Sequence, residues 1–227
     1  MSEVKLIKIQ EEILSANKNL ADKLRNELRA GGTTFLNVMS SPGSGKTSLI
    51  LNTIEKLRES VSMAVIEADL DSTVDADKIA AVGIEAIQIE TGGMCHVSAA
   101  MFEKAAHSLD LQKLDLVILE NVGNLVCPAQ ADTGAHLNIV ILSIPEGDDK
   151  PLKYPVIFRG VDAVVLNKLD YLAVAGFDRD AFWERIRFLN PEAAHFEVSC
   201  TTGEGVEAWS DWLKEKLLSK TGDHDGS

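Results

Sequence analysis

The chain has 227 residues, 45% of them hydrophobic and 25% charged, with a formal net charge of −13. That length and apolar content carry one large packed domain or two small ones, and the acidic balance excludes non-specific binding to nucleic acid or to an anionic membrane surface. No apolar run reaches the ~18 residues of a membrane span. The opening "MSEVKLIKIQEE" lacks the apolar stretch of a signal peptide, so a cytoplasmic setting is expected. Cys95, Cys127 and Cys200 are few and widely spaced. They argue against a disulfide framework and leave metal binding or inert burial.

Residues 5–30 carry helical spacing, with Leu20, Ala21, Leu24 and Leu28 on one face, and Gly31-Gly32 stops the run. From there apolar, β-branched runs alternate with helical ones. "TFLNVMS" (34–40), "MAVIEAD" (63–69), "IEAIQIE" (84–90), "DLVILENV" (115–122), "LNIVILSI" (137–144), "VDAVVLNK" (161–168) and "HFEVSC" (195–200) read as strands. Helices are expected at 46–59, 75–83, 98–109, 179–190 and 205–218. Nearly continuous apolar strands separated by helices imply an α/β fold: a mostly parallel sheet of about seven strands, covered by helices on both faces. The expected organisation is an N-terminal helical segment (1–32) packed on a P-loop domain (33–220), then a polar, disordered tail (221–227).

"SSPGSGKTS", Ser40 to Ser48, follows the first strand and opens a helix, which is the setting of a P-loop. Gly43 and Gly45 let backbone N–H groups turn inward around Ser44 and approach phosphate oxygens. Lys46 supplies positive charge to the β- and γ-phosphates, the Thr47 hydroxyl can hold Mg²⁺, and the helix N-terminus with Ser48 adds its partial positive charge. The motif departs from its full pattern at the first position, where Ser40 replaces glycine.

"NKLD", Asn167 to Asp170, ends a later strand and selects a base. The Asp170 carboxylate can accept from guanine N1–H and N2–H₂, which adenine does not offer in that arrangement. Lys168 can lie along the base and Asn167 can brace the loop. "SCTTGEG" (199–205), with Ser199 and Cys200, either closes over the base or is an ordinary capped turn. For Mg²⁺ the oxygen ligands beyond Thr47 are Asp69 and Glu120, both at strand ends, where doubly wound folds hold ligands. Asp71, Asp75 and Asp77 are either a solvated loop and helix cap or, in the case of Asp75, a carboxylate that orients the attacking water. Lys46, Asp75 and Glu120 are thus the catalytic candidates. No arginine stands in these segments; Arg159 is the nearest, so slow turnover is expected.

"TGGMCH" (91–96) places Cys95 beside His96 after a Gly-Gly hinge, and "ENVGNLVCP" (120–128) places Cys127 a few residues beyond Glu120. Thiolate and imidazole suit Zn²⁺ and Ni²⁺; alternatively the cysteines are small buried apolar groups and His96 caps a helix. Three ligands are too few for a closed tetrahedral site, and a second copy related by a two-fold axis would complete it.

With "SSPGSGKTSL", "IEAD", "ETGGMCH", "ENVGNLVCP", "GDDKPLKYP", "VLNKLD" and the "TGEG" turn together, the chain over about residues 10–218 resembles the hydrogenase-maturation nickel-incorporation GTPases, the HypB family, within the dimerising P-loop GTPases. The resemblance implies GTP hydrolysis with Mg²⁺ coupled to homodimerisation. It also implies Ni²⁺ or Zn²⁺ held by Cys95, His96 and Cys127 at the dimer interface, and delivery with a companion nickel-insertion chaperone to a hydrogenase large-subunit precursor. The chain departs from the family at "MSEVKLIKIQ", which has no Cys or His for tight nickel storage, and at "QADTGAH" (130–136), where Ala135 follows Gly134 and His136 is either a compensating ligand or a surface residue. Cys200 replaces a smaller residue and is read as core or base-proximal, not as a metal ligand. A urease-type nickel GTPase would carry Cys-Pro-His where this chain has Cys127-Pro128-Ala129. A nucleotide-gated metal store or regulator is the remaining alternative.

Overall fold

The computed structural model describes residues 9–69 and 74–222. Helix α1 (Ile9–Ala30) leads into strand β1 (Thr34–Ser40), followed by α2 (Lys46–Leu57), β2 (Met63–Asp69), α3 (Val74–Ala81), β3 (Glu85–Glu90), α4 (Ala99–Ala106), β4 (Leu116–Glu120) and β5 (Leu137–Ser143). Two short helices, α5 (Lys150–Lys153) and α6 (Pro155–Arg159), precede β6 (Ala163–Asn167), α7 (Arg179–Leu189), β7 (Ala194–Glu197) and α8 (Val206–Gly222). The strands form one seven-stranded sheet in the order β3-β2-β4-β1-β5-β6-β7. Every pairing is parallel, as expected where strands return by crossover connections; all but the β4–β5 connection include an α-helix.

The strand alternation sorts side chains onto two faces. Leu36, Val38, Val65, Ile118, Ile139, Ile141 and Val165 point toward α2 and α8, where Ile50, Ile54, Trp209 and Leu213 are buried. Trp209 also donates through Nε1 to Thr53 Oγ1 at 2.9 Å, so its one polar atom is paired in the core. On the other face Phe35, Ile66, Val117 and Leu119 meet Ala21, Leu24 and Leu28 of α1 and Phe102 of α4. Farther along it, Met39, Val140, Leu142, Val164 and Leu166 meet α6 and α7. The parallel register brings the C-terminal ends of β1, β2, β4, β5 and β6 to one edge, where Ser40, Asp69, Glu120, Ser143 and Asn167 stand.

The structure differs from the sequence reading at several element ends. Helix α3 starts at Val74, so Asp75 lies inside its first turn rather than capping it. Helix α8 runs through Gly222, two residues into the stretch read as tail. Residues 223–227, with His224, and Asp71 lie outside the described residues. Helices α5 and α6 are absent from the sequence reading. Each is about a single turn with a proline at its first or second position, Pro151 and Pro155; a turn that short shows no periodicity, although proline in the first turn favours it. No helix among the described residues is long and apolar enough to cross a membrane.

Candidate functional site

The phosphate loop joins β1 to α2. Gly43 and Gly45 take positive φ, 76° and 97°. Gly45 also leaves no room for a side chain, because a Cβ there would stand 2.4 Å from Asn167 Nδ2. Lys168 is the only non-glycine residue at positive φ among the described residues, so Ser40 sits in ordinary backbone and a serine fits where the full pattern has glycine. The exchange has a use: Lys46 Nζ donates to Ser40 Oγ at 3.1 Å. Behind the loop, Glu146 accepts from Ser44 Oγ and from Ser143 N–H and Oγ, each at 2.8 Å, and also contacts Ser41 Oγ. The sequence reading missed Glu146. Its signal was the Ser143-x-x-Glu146 spacing of a capping box.

The base-selecting loop is tied to the phosphate loop by two side chains. Asn167, buried, donates to Ser44 O (3.0 Å) and accepts from the N–H groups of Lys168 (2.7 Å) and Cys200 (3.3 Å). Lys168 holds a left-handed conformation (φ 63°) and donates from Nζ to Gly43 O at 2.7 Å. Asp170 is exposed, and its Oδ1 accepts from Ser199 Oγ at 2.6 Å, which orients the carboxylate. Cys200 is half-buried, far from the other two cysteines in the fold, and burial pushes its thiol up to about 11. Ser48 lies exposed on the first turn of α2.

Beside Lys46 and Thr47 lies a group of carboxylates. Thr47 Oγ1 donates to Glu120 Oε1 at 2.8 Å. Glu67, Asp75 and Glu120 bring ligand oxygens within 4.8 Å of one another; Asp69, at the end of β2, stands outside that group. Burial, opposed by Lys46, raises the Glu120 carboxyl to about 7. Burial and then the neighbouring Glu120 raise Glu67 to about 7. One oxygen of each, Oε2, is buried with no hydrogen-bond partner, which is costly unless a proton or a cation joins them. A hydroxyl and carboxylate oxygens are the donors Mg²⁺ takes, so the residues present fit that ion. The sequence reading passed over Glu67. A glutamate inside an otherwise apolar, doubly covered strand was the available signal.

The third group sits on the loops after β3 and β4. Gly92 and Gly93, at φ 60° and 89°, turn the chain back over the sheet edge. Donor atoms of Cys95, His96 and Cys127 come within 4.8 Å of one another, and all three residues are half-buried. The structure pairs Cys95 with Cys127 as a disulfide, Cα–Cα 6.1 Å, with His96 Nδ1 3.9 Å from Cys95 Sγ. The sequence reading argues against a disulfide framework and leaves metal binding open, and it does not foresee that these two cysteines stand this close. Residues 32 apart in sequence carried no pairing signal, and the sheet order brings their loops together. A reduced pair offers two thiolates and an imidazole, a set suited to Ni²⁺ or Zn²⁺; a bridged pair offers no thiolate. Asn121, next in chain to Glu120, accepts the Val97 N–H at 3.2 Å, one residue past His96. His136 is no part of this group. Its Nδ1 accepts from Phe35 N–H (3.0 Å), which leaves Nε2–H to donate to Arg25 O (2.8 Å).

A parallel sheet with a glycine-rich phosphate loop at its central strand, backed by a lysine, a threonine and buried carboxylates, defines a P-loop nucleotide-binding protein. Residues 34–197 match the family model described as the CobW/HypB/UreG nucleotide-binding domain. The hydrogenase maturation factor HypB of Escherichia coli K12 is 42% identical over 214 residues, 94% of this chain and 74% of that protein. Among solved structures, HypB from Helicobacter pylori in complex with nickel superposes with a TM-score of 0.86 at 40% identity, covering 91% of this chain and 97% of that one. The hydrogenase maturation factor HypB from Archaeoglobus fulgidus gives 0.84 at 38% identity, covering 89% and 99%. The chain belongs to the HypB hydrogenase-maturation branch of the CobW/HypB/UreG family.

Proposed function

We propose that the protein is a Mg²⁺-dependent GTPase of slow turnover that pairs with a second copy on GTP and hands Ni²⁺ to a hydrogenase large-subunit precursor, together with a companion nickel-insertion chaperone, in the cytoplasm. One observation carries the reading: Cys95, His96 and Cys127 converge on loops at the same sheet edge as Glu120, whose carboxylate is bonded to Thr47 of the phosphate loop. A nucleotide that repositions Glu120 therefore acts on a segment seven residues from Cys127 and, through Asn121, on the loop of His96.

Within this reading the chain's own residues have separate tasks. Backbone N–H groups at Gly43 to Thr47 bind phosphate oxygens, and Lys46 exchanges Ser40 for phosphate. Thr47 and Glu120 would hold Mg²⁺ with Asp69 or with Glu67, and the ion would supply charge neutralisation to the phosphates. Asp75, a member of the same carboxylate group, is the residue placed to orient water. Asp170, held by Ser199, reads guanine, while Asn167 and Lys168 fix its loop to the phosphate loop. Cargo Ni²⁺ or Zn²⁺ binds the reduced cysteines, and a second copy completes its coordination.

The test is equilibrium binding of Ni²⁺ and Zn²⁺ by the reduced chain with GDP and with a non-hydrolysable GTP analogue, with dimer mass followed in the same samples. Nucleotide-dependent affinity that disappears in Cys95→Ala is the expected result; binding indifferent to nucleotide and to Cys95 overturns metal delivery. In parallel, Asp170→Asn should move preference from GTP toward XTP by at least about tenfold. An unchanged GTP preference removes the guanine assignment.

A further inference from the structure

Helix α1 has no task in the reading above, yet it is fastened to both loops that carry the sulfur ligands. The Asn17 side chain, half-buried, faces two backbone groups at once. Its Oδ1 accepts the N–H of Ala99 at 3.0 Å, and its Nδ2 donates to the C=O of Asp132 at 2.7 Å. Ala99 lies three residues beyond His96 and opens α4; Asp132 lies five residues beyond Cys127. One planar amide thus spans the outgoing ends of the Cys95–His96 loop and the Cys127 loop. The Ala99 N–H is among the first donors of α4 and has no intrahelical partner, so Asn17 fills a need that the helix start creates.

The other polar ties of α1 differ in kind. Arg25 donates from Nε to Ala135 O (3.0 Å) and pairs through Nη2 with Asp132 Oδ1 (2.7 Å). The carbonyl of Arg25 receives His136. Gly134 packs so closely that a Cβ would meet Ala21 O at 3.0 Å. These contacts hold residues 132–136 to the helix; on the other side Lys23 pairs loosely with Glu103 in the second turn of α4 at 3.8 Å and bonds no backbone of the His96 loop. The Cys95–His96 side is otherwise held by Asn121 through Val97, from the sheet below.

We propose that Asn17 is a positioning residue for the Cys95, His96 and Cys127 group, setting the separation of the two ligand loops by bonding the backbone of each. The proposal rests on the metal reading of those three residues. Partners that orient metal ligands typically contribute about 10–100-fold to affinity, and Asn17 acts through two backbone segments in this way.

The experiment uses the full reduced chain as wild type, Asn17→Ala, Asn17→Asp and Arg25→Ala. Ni²⁺ is titrated in with the thiolate-to-nickel charge-transfer absorbance as readout, and melting temperature is measured alongside. Asp keeps an acceptor for Ala99 and loses the donor to Asp132. Both Asn17 variants are expected to weaken Ni²⁺ binding at least about tenfold and to alter the charge-transfer band. Arg25→Ala is expected to lower the melting temperature while leaving nickel affinity within about twofold. Equal nickel affinity in wild type and the Asn17 variants overturns the proposal, as does an equal loss in Arg25→Ala, which would make α1 a general brace. A second measurement needs no metal: the equilibrium fraction of Cys95–Cys127 disulfide in a glutathione buffer, scored by mass. The positioning role predicts a severalfold lower pairing constant in Asn17→Asp, and an unchanged constant overturns it. If wild type binds no nickel, the delivery reading falls, and the pairing constant still decides what Asn17 does.

Discussion

Replacing Glu67 with glutamine removes one of the buried carboxylates beside the phosphate loop while keeping its shape. In the folded chain burial and Glu120 raise the Glu67 carboxyl from 4.5 to about 7, so the native state holds this proton more tightly than the unfolded chain. The charge penalty is absent below pH 4.5, grows from pH 4.5 to about 7, and is fully present above it. Metal-free stability therefore falls as pH rises through that window. At about 1.4 kcal/mol per pH unit the interval corresponds to roughly 3 kcal/mol, or about 6–12 °C in melting temperature for a chain of this size. Glu120 remains in the variant and keeps part of the slope. His195, held below its usual range by burial, contributes the opposite slope, and it cancels in the difference between wild type and variant. The assay is thermal unfolding with a chelator from pH 4.5 to 8. Glu67→Gln should match wild type near pH 4.5 and melt higher at pH 8. A wild-type melting temperature that is flat or rises over this range, with no advantage for the variant at pH 8, refutes the reasoning.

Asn167→Ala removes three hydrogen bonds at a buried position and leaves left-handed Lys168 without its support. A loss of about 2–4 kcal/mol is expected, read by denaturant unfolding, with weaker nucleotide binding in the same variant; a loss under about 1 kcal/mol counts against the bracing role. Gly134→Ala forces a side chain at φ 86° against Ala21 O. It should destabilise by about 1–3 kcal/mol and raise amide exchange first in α1, and exchange unchanged in α1 would show that the helix docks independently of Gly134. Mg²⁺ with nucleotide should raise the melting temperature more at pH 8 than at pH 5, because the cation replaces protons on Glu67 and Glu120; an equal rise at both pH values argues against these carboxylates as its ligands.

Seven strands and the long helices were legible because a doubly covered parallel sheet demands continuous apolar strands, and every such run became one. The phosphate loop and the "NKLD" loop were legible for a related reason: their chemistry depends on residues close together in the chain. Glu146, Glu67 and Asn17 escaped because each acts on a partner distant in sequence: Ser44 102 residues away, Glu120 directly opposite on the neighbouring strand, and Asp132 115 residues away. Their local sequences, a capping box, a strand and a polar helix face, have ordinary explanations that hide those partners.

The sequence by itself determined the fold class and pointed to the nucleotide loops, since short-range patterns of glycine, charge and hydrophobicity specify these, and it singled out Cys95, His96 and Cys127 through the family resemblance. Only the tertiary structure decided that Cys95 and Cys127 stand close enough to pair, that Glu67 joins Glu120, and that the N-terminal helix reaches both cysteine-bearing loops. Those relations depend on strand order and on which loops the sheet brings to one edge, and packing of the whole chain settles both.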